Sequence, residues 1–371
     1  MKLSKMIAIV LSITVLVNGN VFAATKKDTT LDIQTLDFET AVDMAITNDS
    51  SLKKIADQID VTLETKEDLF DGGMRPGTPS QVVMVSAQRL AYLSNIHSLD
   101  SNYRISKITE DVTKIGIQAA IKNSFSTILL NQNRLELLQK NYNLQKQLLS
   151  QAKIKNKVGM MSKKDLEDLE REIQQMLEQI RQLKMNIDNA YIALNDLIGT
   201  SAEDRYDIIY DVEYEPLTMN MSIDTYISRK LSTDQSLQMQ KIAVENTEFS
   251  VKTISLGTTG SEYRSTELEA TNAARDYKTA KEEKEKSIRQ AYIQLQQLES
   301  ARKNLETDLE KAKSDLEKVK VNLQVGNVTQ ITLDQAALAL DNLEYSFLEN
   351  TFNHDLLMFT FDNTCVLGSA N

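Results

Sequence analysis

The stretch that decides the fold is Val158-Gly159-Met160-Met161-Ser162-Lys163-Lys164-Asp165-Leu166. It interrupts a long helical pattern and recurs as Val325-Gly326-Asn327-Val328-Thr329-Gln330-Ile331-Thr332-Leu333. In both copies a Val-Gly pair ends one apolar heptad run, and a hydroxyl residue follows three positions after the glycine. Glycine tolerates the left-handed conformation that closes a helix, and serine or threonine accepts from the free amides that open the next. Each copy is therefore predicted to be the tip of a helical hairpin, and two copies indicate an internal duplication.

The composition predicts an all-α chain made of long helices. Its 371 residues include only 3 Pro, 11 Gly and no Trp, whereas helices of the usual length of roughly 11–12 residues would need many more breakers. The net charge of -11 comes from acidic residues and lysines mixed along the helices, without a long basic block. We therefore expect no nucleic-acid partner.

The N-terminus, residues 1–23, has the pattern of a secretory signal peptide. Lys2 and Lys5 form its charged start, residues 6–17 its apolar core, and Val21-Phe22-Ala23 its small-x-small cleavage site. The core is shorter than the roughly 20 apolar residues that span a bilayer. The sequence thus predicts an exported chain, with a retained N-terminal anchor as the alternative.

Apolar residues at helical spacing predict six helices, joined by breakers at 71–79 and 257–260 and by a linker at 200–221 that holds one strand. The predicted helices are 37–68 with Asp37 as N-cap, 80–157, 166–198, 222–256, 261–324 and 330–366. Gly199 and Gly368 are predicted to end the last helix of each half. The predicted domains are the signal peptide over 1–23, a first helical repeat over 24–200 and a second over 201–371. Their tips lie near 157–162 and 324–329.

The helix lengths predict the architecture of long antiparallel hairpins packed as coiled coils. In each half, two shorter helices have together nearly the length of the long one, so they are expected to stack end to end along its side. Such a strut is roughly 100 Å long by the helix rise. The last helix carries apolar residues off its main seam, which predicts contact with a second neighbour, and another subunit is one candidate for it.

These residues and motifs resemble the TolC-type outer membrane efflux family over nearly the whole mature length. Residues 31–59 are similar to the opening helix of that family. The two tips, Val158-Gly159 with Ser162 and Asp165, and Val325-Gly326 with Thr329, look like its hairpin tips. The resemblance implies an internally duplicated α-helical barrel protomer, a homotrimer, and docking of a membrane-fusion adaptor or a pump of the ABC or RND type at the tips.

The chain also departs from the family pattern. That family places a pair of β-strands before each long helix, and a membrane-spanning strand needs about 9–11 alternating residues. Residues 257–260 cannot hold such a pair and residues 71–88 hold at most one strand, so we expect little or no β-barrel. Val328 stands where the family has an arginine in the second tip. Asp334 lies one place out of register with an expected aspartate and is the candidate pore-lining acid.

No residue pattern in the sequence indicates catalysis, a metal or a cofactor. His97 and His354 lie in different halves without metal-ligand spacing and are expected to be structural. The acidic residues that follow Ser162 lie at a predicted helix start, where carboxylates relieve the helix dipole. Cys365 is the only cysteine, so an intramolecular disulfide is excluded. The chain is therefore not expected to be an enzyme.

Two non-enzymatic functions remain open. The first is a conduit subunit that acts with an adaptor and an inner-membrane pump in the efflux or export of small molecules or proteins. The second is a helical envelope spacer, interaction or chaperone-like protein that retains only the scaffold. The duplication favours the first function, and the missing strand pairs favour the second or a conduit at the outer face of the cell membrane. Oligomeric state would separate them.

Overall fold

The structure, a computed structural model, describes residues 34–72, 86–254 and 259–367. Within these ranges it consists of eight helices, two short strands and a final 3-10 turn. In chain order they are β1 Gln34–Asp37, α1 Phe38–Asn48, α2 Ser50–Gly72, α3 Ser86–Lys157, α4 Lys163–Ile198, β2 Tyr206–Ile209, α5 Ile223–Thr233, α6 Gln235–Lys252, α7 Gly260–Gln324, α8 Gln330–Asp362 and the turn Thr364–Val366. The all-α prediction is confirmed.

The short helices run along the long ones as the helix lengths predict. Helix α3 has 72 residues, against 11, 23 and 36 in α1, α2 and α4. Helix α7 has 65, against 11, 18 and 33 in α5, α6 and α8. Ion pairs from Lys66 to Asp100 and from Lys153 to Glu170 place α2 along the first part of α3 and α4 along its last part.

The two halves pack against each other through α3. This helix contacts α2 and α4 of its own half and α6 and α8 of the other, while α7 contacts α5, α6 and α8. Helices α6 and α8 therefore lie between the two long helices. The second neighbour predicted for the last helix is α3 of the same chain.

The helices predicted over 37–68 and 222–256 are each broken once, which the periodicity missed. Asp49 (φ -59°, ψ 117°) and Asp234 (φ -63°, ψ 122°) leave the helical conformation. Their carboxylates accept hydrogen bonds from the amides of Leu52 at 2.7 Å and Leu237 at 2.9 Å. Each aspartate therefore caps a new helix, α2 or α6. The apolar spacing continues on both sides of a one-residue break, so the pattern alone reads as one helix.

The core lies at mid-length, where the ends of the short helices meet. In the first half, Ile121 and Phe125 of α3 pack with Leu194 of α4, all fully buried. In the second half, Ile288 and Leu295 of α7 form the corresponding centre. The predicted linker strand is β2, and it pairs in parallel with β1, which the sequence analysis did not predict.

Helix ends at this level are held by specific contacts. Gly199 has φ 75° and ends α4 as predicted. The Asn48 amide donates to the carbonyls of Asp196 and Leu197 at 3.2 and 3.4 Å, capping α4 from the end of α1. The last helix ends at Asp362, earlier than predicted, because the next residue leaves the helical conformation (φ -110°, ψ 72°).

Several sequence predictions fall outside the described residues. They are the signal peptide over 1–23, most of the breaker at 71–79, residues 257–258 of the second breaker, and Gly368. Of the helices that the structure describes, none combines the length and apolar character needed to cross a membrane. The division into repeats at residue 200 stays a prediction.

Candidate functional site

The first tip closes α3 and opens α4 within a few residues. Gly159 has φ 76°, and the amide of Met160 donates to the carbonyl of Lys155 at 2.8 Å. This pairing satisfies a carbonyl at the helix end. The hydroxyl of Ser162 then accepts from the amide of Asp165 at 3.1 Å and caps α4. The glycine and the serine therefore have the conformations predicted for a hairpin tip.

The second tip repeats this geometry between α7 and α8. Gly326 has φ 78°, and the amide of Asn327 donates to the carbonyl of Asn322 at 2.9 Å. The hydroxyl of Thr329 accepts from the amide of Thr332 at 3.3 Å and caps α8. Two separate stretches of sequence thus form equivalent turns.

Both tips lie at the same end of the molecule. Lys140 of α3 forms an ion pair with Asp341 of α8 at 2.9 Å. Helix rise places Gly159 about 28 Å and Gly326 about 22 Å beyond this pair, both in the same direction, because α3 and α8 are antiparallel. The two turns therefore form one end surface.

Apolar side chains are exposed on this end surface. Val158, Met160 and Val325 expose 64%, 78% and 65% of their surface. Each large apolar side chain that a partner buries contributes about 1.5–3 kcal/mol. In both tips the exposed valine precedes the left-handed glycine. The same short turn therefore reverses the chain and exposes apolar surface that a partner could bury.

The acidic candidates are placed differently. Asp165 is exposed in the first turn of α4, and its carboxylate has no hydrogen bond or ion pair within the described residues. Asp334 is half-buried in α8 and accepts from the side-chain amide of Gln330 at 2.8 Å. The roles of Asp165 in docking and of Asp334 in lining a pore stay predictions.

The two histidines are packed in the helical layer, away from the tips. His97 stacks on Phe249 with ring centroids 4.0 Å apart. His354 is buried, and burial lowers its pKa although Glu299 lies 3.5 Å from Nε2. Within the described ranges, no group of three or more His, Cys, Asp or Glu side chains could hold a metal ion.

The tip glycines give a first prediction. Gly159→Ala and Gly326→Ala should each lower the free energy of unfolding by about 1 kcal/mol, because an L-residue with a side chain disfavours positive φ. A Cβ at either position meets nothing within 4 Å, so the effect is conformational. Urea unfolding followed by circular dichroism at 222 nm measures it.

Gly116→Ala is the matched control. Gly116 lies inside α3 with right-handed backbone, and a Cβ there also meets nothing within 4 Å. This change should raise the free energy of unfolding by about 0.5–1 kcal/mol, since alanine favours a helix interior. Effects of one sign at all three glycines would contradict the assignment.

Comparison of the coordinates with solved structures identifies the fold. The chain aligns with the crystal structure of the Campylobacter jejuni CmeC outer membrane channel at a TM-score of 0.65 and 11% identity, over 95% of both chains. The chain has the fold of the TolC-type outer membrane channels. VceC from Vibrio cholerae, an outer membrane protein, aligns at 0.62 and 10% identity, over 88% of this chain and 96% of that one.

The chain also aligns with the crystal structure of the open state of the Neisseria gonorrhoeae MtrE outer membrane channel. That structure aligns at a TM-score of 0.58 and 11% identity, over 88% of both chains. No family profile and no curated protein sequence matches this chain. At this identity the likeness shows the TolC-type fold, with its long helices and paired hairpins.

Proposed function

We propose that this chain is the subunit of an exported helical conduit in the cell envelope. It acts with a membrane-fusion adaptor and an inner-membrane pump in the efflux or export of small molecules or proteins. The observation that carries this proposal is the fold, because the solved structures that share it over most of their length are outer membrane channels. The proposed role is not enzymatic.

The outer helices of the layer support assembly into a ring. Met185 and Ile192 of α4 lie exposed on one helix, and Ile293 and Val321 lie exposed on α7 beyond α6 and α8. Different surfaces on two helices can pair head to tail, and such contacts form a ring when the rotation between successive subunits closes. The proposed assembly is a homotrimer.

The native mass of the purified full chain tests this proposal. A trimer that shows a central opening in electron micrographs is the expected result. A monomer at micromolar concentration would instead favour the envelope spacer or chaperone-like function, since one layer of helices cannot enclose a channel. The measurement needs no knowledge of the pump or the substrate.

The exposed tips give a second prediction. Val158→Asp combined with Val325→Asp should weaken binding of the adaptor at least tenfold, or about 1.4 kcal/mol, because a charge replaces an apolar contact. Asp165→Lys tests the predicted docking role of that carboxylate in the same assay. Co-purification of an adaptor with the chain from native envelopes, quantified by mass spectrometry, measures the effect.

Val61→Asp is the matched control for this experiment. Val61 is exposed to a similar extent but lies on α2, far from the tips. It should leave adaptor recovery unchanged, and the native mass of every variant shows whether assembly is intact. Equal recovery of the adaptor by the double tip variant and the control would rule out docking at the tips.

A further inference from the structure

A cleft of about 940 Å³ lies between the first half and the second, lined by α3, α5, α6 and α7. Its volume is in the range of ligand sites, about 300–1,000 Å³. Three lining side chains, Ile227, Leu237 and Ile242, are 1–2% exposed and give the cleft an apolar floor. An apolar body of moderate size could therefore be buried there.

The charged side chains that line the cleft are mainly cationic, in a chain with a net charge of -11. Five lining side chains are basic and two are acidic, namely Arg104, Lys107, Lys241, Lys281, Arg289, Asp224 and Glu285. The local charge is thus opposite in sign to that of the whole molecule. A cleft lined by one sign of charge concentrates ligands of the other sign.

Both carboxylates of the cleft are already engaged. Arg289 of α7 contacts Asp224 at 2.7 Å and Glu285 at 2.9 Å. One arginine therefore holds the two acidic groups together, and neither is directed to another lysine of the cleft. The remaining charge of the lining is positive.

Two further cations are paired outside the cleft. Arg104 contacts Glu245 at 2.9 Å, and Lys107 contacts Glu110 at 3.1 Å. Neither acid belongs to the cleft lining. These two basic groups are compensated from the adjoining surface and cannot supply the main attraction for a ligand.

Lys241 of α6 and Lys281 of α7 remain. Neither has an ion pair or a hydrogen bond from its ammonium group in the part of the chain that the structure describes. We propose that this cleft binds an amphipathic organic anion. Its anionic group is held by Lys241 and Lys281, and its apolar body lies over the floor of Ile227, Leu237 and Ile242.

The cleft is remote from the tips. Ile108, on its α3 wall, precedes Gly159 by about 75 Å along the helix axis. The proposed site is therefore independent of adaptor docking. The anion site goes beyond the proposed function. Failure to bind an anion would not contradict the conduit proposal, and failure of the conduit proposal would not contradict the anion site.

A pair of fluorescent probes tests the proposal on the full chain. 8-Anilino-1-naphthalenesulfonate carries a sulfonate, and N-phenyl-1-naphthylamine has the same aromatic body without it. We expect saturable 1:1 binding of the sulfonate probe. Lys241→Gln with Lys281→Gln should raise its Kd roughly tenfold, since two cations of the cleft lining are lost, and should leave the Kd of the neutral probe within about twofold.

Lys184→Gln with Lys303→Gln is the matched control, because both lysines are exposed and lack ion pairs within the described residues but lie outside the cleft. This variant should bind both probes as the unmodified chain does. The proposal is overturned if the cleft variant and the control give the same Kd for the sulfonate probe. It is equally overturned if both probes weaken together, which would indicate apolar binding alone, or if no saturable binding occurs.

Discussion

Replacing Asp234 by alanine is expected to lower the free energy of unfolding by about 3 kcal/mol, because it removes a buried and fully bonded carboxylate. Asp234 is 1% exposed. One oxygen accepts from the amide of Leu237 at 2.9 Å and from the hydroxyl of Ser236. The other accepts from the hydroxyl of Thr364 at 2.6 Å, and the ammonium of Lys284 lies 3.7 Å away.

The loss would leave several buried groups without partners. The amide that opens α6 would lose its cap, and the Lys284 ammonium would lose its counterion in a site where it is 13% exposed. Lys284 would still donate to the Thr364 carbonyl at 2.7 Å, so its anchoring of the C-terminal turn would be only partly weakened. Urea unfolding followed by circular dichroism measures the change.

Asp49→Ala is the matched control in the other half. Asp49 makes the same break between α1 and α2 and accepts from the amide of Leu52, but it is partly exposed and forms no buried ion pair in the described structure. Loss of a helix cap of this kind costs about 1 kcal/mol. If the two alanine variants were equally stable, the contacts of Asp234 to Thr364 and Lys284 would contribute nothing.

The breaks at Asp49 and Asp234 thus have similar backbone conformations, but different side-chain contacts hold the neighbouring helix ends in the two halves. In the first half, the amide of Asn48 caps the end of α4, and a Cβ on Gly199 would lie 2.4 Å from that side chain. In the second half, Lys230 donates to the carbonyl of Asp362 at 2.6 Å, and Asp234 holds the final turn. In each half, these contacts fix the position along the long helix at which the ends of the short helices meet.

The long helices and the tips were predictable from the sequence because their signals are local. A heptad run, a left-handed glycine and a hydroxyl cap each act within a few residues, so the C-terminal ends of α3 at Lys157 and of α7 at Gln324 were placed correctly. The breaks at Asp49 and Asp234 were missed, since a single capping residue does not disturb the apolar spacing. Strand β1 was missed because its partner β2 lies in the linker between the halves.

The candidate sites also differ in whether local sequence signals predict them. Residues such as Val158 and Val325 adjoin their turn signals, so sequence alone placed them at the tips. Lys241 and Lys281 belong to mixed charge runs that read as ordinary solvated helix faces. Only the packing of α3 beside α6 and α7 brings them to one cleft, and only the pairing of neighbouring charges leaves them free. No sequence pattern carries that information.

A partly buried ion pair that sequence reasoning also missed joins the two halves. Lys122 of α3 donates to both carboxylate oxygens of Asp355 in α8, at 2.9 and 3.0 Å. The hydroxyl of Tyr210, from the inter-repeat linker, donates to the same carboxylate. Burial, followed by this hydrogen bond, raises the pKa of Tyr210, so the phenol remains a donor.

Aromatic rings surround the cation of this pair. The Lys122 ammonium lies 5.1 Å from the ring centroid of Phe38, 5.5 Å from that of Tyr210 and 5.6 Å from that of Phe359. Such contacts stabilise an ammonium group by roughly 0.5–2 kcal/mol each when water is excluded. They do not replace a counterion, so removal of Asp355 leaves a poorly solvated charge between the two halves.

Asp355→Ala is therefore expected to lower the free energy of unfolding by about 3 kcal/mol. Lys122→Met combined with Asp355→Leu should be more stable than Asp355→Ala alone, because it removes both charges and keeps the apolar volume. Urea unfolding of the single and double variants provides this comparison. A double variant that is less stable than Asp355→Ala would show that the unpaired Lys122 ammonium does not destabilise the chain.

Asp341→Ala separates burial from the simple presence of an ion pair between the same two helices. Lys140 contacts Asp341 at 2.9 Å across α3 and α8, but Lys140 is 49% exposed, against 15% for Lys122. An exposed pair contributes about 0–1 kcal/mol, so Asp341→Ala should lower the free energy of unfolding by no more than that. Equal losses at Asp341 and Asp355 would mean that cross-repeat charge alone joins the halves. If only Asp355→Ala lowers the free energy of unfolding, the charged contact that stabilises the packing of the two halves lies at mid-length, where both cores lie. The tip ends of the two hairpins would then be held mainly by their heptad seams.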